Sequence, residues 1–233
     1  MRRLILVHGD KGGVGKSVFA RAMCDSYLRN GTPVNAYDSD KRNPDLSRFY
    51  GKRVPVGLLD LTSATAFDTV LDTLAGADTR AIIDLAAGAG DALHRIISGD
   101  IRLGEALSDM SARATVVYVL SRSRPSVAGL NVALQDFKDV PADWVVVRNN
   151  YFGEQDKFTR YAASNTRKDA LARGAVELDM PELLDDLYDD LDQGSVAFMD
   201  ATTADKLTFT NRRRVKSWLE RFDTELAKAA AVL

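Results

Sequence analysis

The 233-residue chain reads as an α/β domain with a mostly parallel central sheet and helices on both faces. Three observations predict it. Short β-rich apolar runs alternate with segments of helical periodicity, the order expected of parallel strands joined by crossover helices. The first such run, Leu4-Ile5-Leu6-Val7, passes into a glycine-rich loop and then a helical pattern. No apolar run approaches the ~20 residues of a membrane span.

In chain order, strands are expected over 3–7, 33–37, 81–85, 115–120, 144–147 and 175–178. Helices are expected over 17–30, 126–137, 181–191 and about 209–231, with Gly31 a suitable stop for the first. A proline at the first turn would open the helix at Pro181. There is no internal repeat, low-complexity tract or linker, so residues 1–233 are expected to form one domain ending in a basic amphipathic helix.

Composition narrows the function classes. Hydrophobic residues make up 45% and charged residues 27%, ordinary for a globular chain that can bury a core. A net charge of −2 argues against a chain coated in nucleic acid, leaving local basic patches open. The single cysteine, Cys24, allows no internal disulfide and fits core packing in a reducing cytoplasm. Four apolar residues after Met1-Arg2-Arg3 are too few for a signal peptide. His8 and His94 are too isolated to pair as metal ligands.

The chemistry concentrates in Gly9-Asp10-Lys11-Gly12-Gly13-Val14-Gly15-Lys16-Ser17-Val18. Backbone N–H groups of such a loop can wrap a phosphate, and the helix behind it adds its positive dipole end. Lys16 would neutralise the β- and γ-phosphates, and the Ser17 hydroxyl would ligate magnesium. Two further segments supply carboxylates where strands end, as a phosphate loop needs for metal and water. One is Asp38-Ser39-Asp40, which is also good turn chemistry. The other is Ala81-Ile82-Ile83-Asp84, where Asp84 would hold a magnesium-bound water.

Lys-Gly-Gly-x-Gly-Lys-Ser over 11–17 resembles the deviant Walker A loop of the ParA/MinD superfamily of P-loop ATPases, the SIMIBI type. The resemblance implies ATP and magnesium as cofactors and a homodimer that sandwiches ATP. Lys16 would then act on its own nucleotide and Lys11 on the partner's. Asp38-Ser39-Asp40 looks like switch I of MinD-type proteins, implying that Asp40 positions the hydrolytic water and Asp38 supports the magnesium and loop network. After Asp84 many relatives carry prolines, whereas this chain has Leu85-Ala86-Ala87-Gly88-Ala89-Gly90, small residues suited to a moving switch II. Residues 144–150 resemble the strand whose terminal asparagine reads adenine, here Asn149 or Asn150. Met180 and Pro181 resemble the segment lining adenine and ribose. The nitrogenase iron protein shares the loop but needs two cysteines per subunit, which excludes it.

Two charge features remain. Residues 177–192 contain acids and no Lys or Arg, and Arg212, Arg213, Arg214, Lys216 and Arg221 cluster near the end. Either can be a solvated face. The terminal helix also carries one apolar stripe, Val215, Trp218, Leu219, Phe222 and Leu226. It can dock on the core, with Arg212, Arg213, Arg214 and Lys216 tracking non-specific DNA as in nucleoid-bound ParA-like proteins. It can instead lie in a membrane surface as in MinD, against which 226–233 carries a single lysine. Residues 149–153, 208–214 and the closing Ala-Ala-Ala-Val-Leu are similar to TraL-type ATPases of conjugative plasmid transfer regions. That likeness implies a positional switch in plasmid partition, maintenance or transfer, with a plasmid-encoded adaptor as partner. A non-hydrolysing, ATP-glued adaptor is the alternative class.

Overall fold

The alternation read from the sequence builds a parallel sheet because each apolar strand needs cover on both faces. The computed structural model describes residues 2–9 and 11–233. Its elements run β1 (Arg3–His8), α1 (Lys16–Arg29), β2 (Val34–Asp38), α2 (Asp45–Tyr50), β3 (Val56–Leu58), α3 (Asp68–Gly76), β4 (Arg80–Asp84), α4 (Gly90–Ser98) and α5 (Leu103–Asp109). They continue β5 (Arg113–Leu120), α6 (Arg124–Asp136), β6 (Ala142–Asn149), α7 (Thr159–Ala162), α8 (Asn165–Ala172), β7 (Val176–Met180), α9 (Asp185–Gly194), α10 (Phe198–Ala201) and α11 (Phe209–Ala227).

Among the described residues the seven strands form one sheet in the order β3-β2-β4-β1-β5-β6-β7, and every pairing is parallel. Alternate side chains feed two cores. Ile5, Val7, Val117, Val145 and Val147 meet α1, α2, α9, α10 and α11 on one face. Leu4, Leu6, Val116, Tyr118 and Val146 meet α3 through α8 on the other. The order reverses around β1, and such a crevice at strand C-terminal ends is where open α/β sheets bind ligands.

Beyond shifts of one or two residues at element ends, two boundaries and several short elements depart from expectation, among them helices α2 to α5, α7, α8 and α10. The helix expected from 181 begins at Asp185. Leu183 is buried and the Pro181 carbonyl accepts from the Trp218 indole N–H at 2.9 Å, so 181–184 is a wall segment rather than a first turn. The terminal helix stops at Ala227 and a 3-10 turn follows over Ala230–Val232. There the Thr115 hydroxyl donates to the Val232 carbonyl and Ala229 and Leu233 are buried, which pulls the chain end against the sheet. The strand β3 was not expected, being three residues at the sheet edge.

The apolar stripe of α11 docks on the core. Trp218 stacks between Phe198 and Phe222, with ring centroids 4.9 and 5.3 Å away. Phe222 in turn meets Phe19 of α1 edge-on at 5.3 Å. A helix lying in a membrane surface would need that stripe turned outward. Arg213, Arg214 and Lys216 are left exposed, whereas Arg212 is half-buried and donates to the Ala204 carbonyl at 3.3 Å. Cys24 is buried.

Candidate functional site

The loop after β1 meets α1 at Gly15, whose φ is +99°, and Gly13 stands at +75°. A Cβ at Gly15 would lie 2.5 Å from the Asn149 amide nitrogen and 2.9 Å from the Met180 methyl carbon. Glycine is therefore required there by both conformation and space. No side chain caps the helix at Gly15 and its first turn carries no acid. Its open N–H groups and dipole form a cradle for an anion. Lys16 is buried and its Nζ donates to the Lys11 carbonyl at 2.9 Å. The Lys11 side chain, Gly12 and Gly13 are exposed, and Val14 is buried. Asp10, expected in the same loop, lies outside the described residues.

Strand register assembles the carboxylates. Val7 of β1 and Asp38 of β2 both align with Asp84 of β4, so the two acids stand side by side next to the root of the loop. Asp84 is buried, with the Ser17 side chain near enough to favour its ionised form. Its Oδ1 is buried without a hydrogen-bond partner. Burial pushes its carboxyl up to about 7, with Asp38 adding to the rise and Ser17 and Lys16 opposing it. An orphaned hard oxygen beside a hydroxyl at a helix mouth fits magnesium, which takes few protein ligands and keeps water and phosphate as the rest.

Asp38 is fully buried. One oxygen accepts from the Asp40 N–H at 3.0 Å and the other from the Leu46 N–H at 3.1 Å. Burial raises its carboxyl to about 6 against those two bonds. Of the two roles expected of Asp38, support of the loop is the one this geometry displays. Asp40 is half-buried, and its Oδ1 accepts from the N–H groups of Arg42 and Asn43 at 3.0 and 3.1 Å. In this conformation it shapes its own loop as an Asx turn.

A cleft of about 390 Å³ opens over the helix mouth, lined by Gly13, Gly15, Lys16, Ser17, Val18, Asn149, Met180 and Pro181. That volume lies within the range typical of small-ligand pockets. Asp45, Tyr151, Leu183, Asp185 and Tyr188 complete it, and sequence reasoning missed all five. The two asparagines are placed differently. Asn149 ends β6 inside the cleft. Its Nδ2 donates to the Val14 carbonyl at 2.9 Å and its Oδ1 accepts from the Tyr151 N–H at 3.0 Å. Asn150 falls in the following 3-10 turn and is not part of the cleft wall. Arg213, Arg214 and Lys216 are on α11, which contributes no residue to the cleft wall and meets it through the Trp218 bond to Pro181.

His8, at the end of β1, sits edge-on to Tyr118 at 5.2 Å. Burial, with Lys16 adding to it, lowers its imidazole to about 4. It is neutral at physiological pH and adds no positive charge to the loop.

No protein-family profile matches the chain. Protein MobD from Acidithiobacillus ferrooxidans is 27% identical over 219 residues, covering 93% of each chain. Protein TraL from Escherichia coli is 26% identical over 247 residues, covering the whole of both. Solved structures agree in fold. A nucleotide-binding protein from Archaeoglobus fulgidus in complex with ADP has a TM-score of 0.56 at 18% identity, over 88% of this chain and 90% of that one. The cell division protein MinD of Aquifex aeolicus has 0.52 at 16% identity, over 97% and 98%. A candidate plasmid partition protein from Borrelia burgdorferi bound to AMPPNP has 0.54 at 15% identity, over 96% and 99%. The chain thus has the MinD/ParA-type P-loop ATPase fold, with the proteins MobD and TraL as relatives in sequence.

Proposed function

We propose that this chain is a magnesium-dependent ATPase that dimerises around ATP and is reset by slow hydrolysis. One observation carries the reading. The ends of β1, β2 and β4 bring an uncapped helix mouth, a buried unpartnered Asp84 oxygen and the Asp38–Asp40 turn to one crevice. Gly13 and Gly15 let the backbone approach the phosphates, Lys16 neutralises them, and Met180 and Pro181 line the base. Ser17 and Asp84 would hold a magnesium ion, directly or through its water. Such an ion neutralises the charge that develops on the phosphates.

The switch follows from Lys11, whose exposed side chain is available to a second copy. A ligand shifts a protein between states only by its differential affinity for them, and a contact from Lys11 to the partner's nucleotide supplies that difference. The output is positional, in plasmid partition, maintenance or transfer. The ADP- and AMPPNP-bound fold neighbours, the plasmid partition protein among them, and the relatives MobD and TraL support this reading. The ATP-bound dimer meets non-specific DNA through Arg213, Arg214 and Lys216, or a plasmid-encoded adaptor that stimulates hydrolysis, within the cytoplasm or on the nucleoid.

Phosphate release from ATP and magnesium tests the ATPase directly. Asp40→Ala is expected to slow release by roughly 100-fold, the order lost when a water-orienting group is removed. ATP affinity should change only a few-fold, so that the variant accumulates as the ATP-bound dimer. Unchanged release in that variant would move the activating role away from Asp40. No release from the wild-type chain would leave the non-hydrolysing adaptor as the function.

A further inference from the structure

Ser39 lies between Asp38 and Asp40, and its bonds go to a different loop. Its N–H donates to the Asp84 carbonyl at 3.0 Å. Its hydroxyl donates to the same carbonyl at 3.1 Å and accepts from the Ala86 N–H at 2.8 Å. One hydroxyl can satisfy both, having a single hydrogen and two lone pairs. The N–H bond is the last rung of the β2–β4 ladder, and the hydroxyl adds one more contact beyond the strand ends. On either side the chain is exposed, at Lys41–Asn43 and at Ala87–Gly88. Among the described residues, one hydrogen bond joins the 39–45 loop to the 85–90 loop, from the Ala86 N–H to the Ser39 hydroxyl, and Ser39 adds two more to the Asp84 carbonyl at the end of β4.

The residue at 86 matters to this arrangement. A proline there would stiffen the chain but has no N–H to donate. Ala86 has one, and Ser39 takes it. The segment after Asp84 is thus fixed by a side chain of the neighbouring loop.

We propose that Ser39 is a positioning residue that clasps the two loops, so that Asp40 and Asp84 act as one unit. The proposal rests on the ATPase reading of the site. A rearrangement of the Asp40 turn would be transmitted to the backbone of Asp84 and Ala86 through this hydroxyl. The bland reading is that the hydroxyl only satisfies local backbone. Magnitudes separate the two. A hydrogen bond near the surface adds little to stability, whereas a misplaced catalytic group can cost roughly 100-fold in rate.

The test compares Ser39→Ala and Ser39→Thr with the wild-type chain. Ser39→Ala is expected to bind ATP within a few-fold of wild type, to release phosphate roughly 10- to 100-fold more slowly, and to exchange the Ala86 amide faster. Ser39→Thr keeps the hydroxyl and should restore both release and protection. Wild-type turnover in Ser39→Ala, or unchanged exchange at Ala86, would overturn the clasp. So would a loss of ATP affinity and thermal stability in proportion to the loss of rate. Should the wild-type chain release no phosphate, the ATPase reading fails. The exchange arm still decides the clasp, through whether ATP with magnesium slows exchange at Ala86 in wild type but not in Ser39→Ala.

Discussion

Asp84→Asn is expected to stabilise the nucleotide-free protein at pH 8 and to do nothing for it near pH 4. Burial raises the Asp84 carboxyl from 3.8 to about 7. Between those values the folded chain holds a proton that the unfolded chain has released, so stability falls as pH rises across that window. Asp38, raised to about 6, acts in the same direction. His8, lowered from 6.5 to about 4, acts in the opposite one, because the unfolded chain there binds the extra proton. Comparing the variant with wild type cancels the His8 contribution, and that of Asp38 except for its charge coupling to Asp84. The gain should be on the order of 2–4 kcal/mol above pH 7, read from urea denaturation at pH 4 and pH 8. With magnesium and ATP the order should reverse, since only the ionised Asp84 attracts the cation. Parallel curves for the two proteins at all pH values would show that Asp84 carries no such burden.

Lys16→Ala is expected to weaken ATP binding by roughly 100-fold or more, the cost of truncating a desolvated charge partner at about 3 kcal/mol. Calorimetric titration with ATP and magnesium reads it, and the nucleotide-free thermal midpoint shows whether the loop survives. Loss of the bond to the Lys11 carbonyl removes a hydrogen bond from a charged donor, about 1.5–3 kcal/mol, and shows in that midpoint rather than in ATP affinity. ATP affinity equal to wild type would remove Lys16 from the phosphate site.

The central strands were legible because strands buried on both faces are written as unbroken apolar runs. Residues 4–7, 115–120 and 144–147 have this character, and each lies inside an observed strand. The four-residue helices α7 and α10 are shorter than any period can mark, and β3 is a three-residue edge. At 181–184 a proline that suits a helix start was overridden by tertiary contacts, the Trp218 bond and the burial of Leu183. The turn from β1 into α1 was legible in its glycines, since the demands of backbone conformation are local: Gly13 and Gly15 take positive φ. Tyr151, Leu183 and Tyr188 were not, because their place in the cleft is made by packing between distant elements. Pleat parity could have separated the asparagines: Val145 and Val147 face the α1 side, and Asn149 continues that alternation. Ser39 carried no such signal, because the backbone groups that it meets lie more than forty residues away in sequence.

The central claim is that ATP, and not ADP, joins two copies through Lys11. Static light scattering of the wild-type chain with magnesium and ATP measures it most directly. The account predicts twice the 25.5 kDa mass of one chain with ATP, one chain's mass with ADP, and one chain's mass for Lys11→Ala even when ATP is bound. Equal masses for wild type in ATP and ADP, or a Lys11→Ala variant that doubles its mass as wild type does, would contradict it.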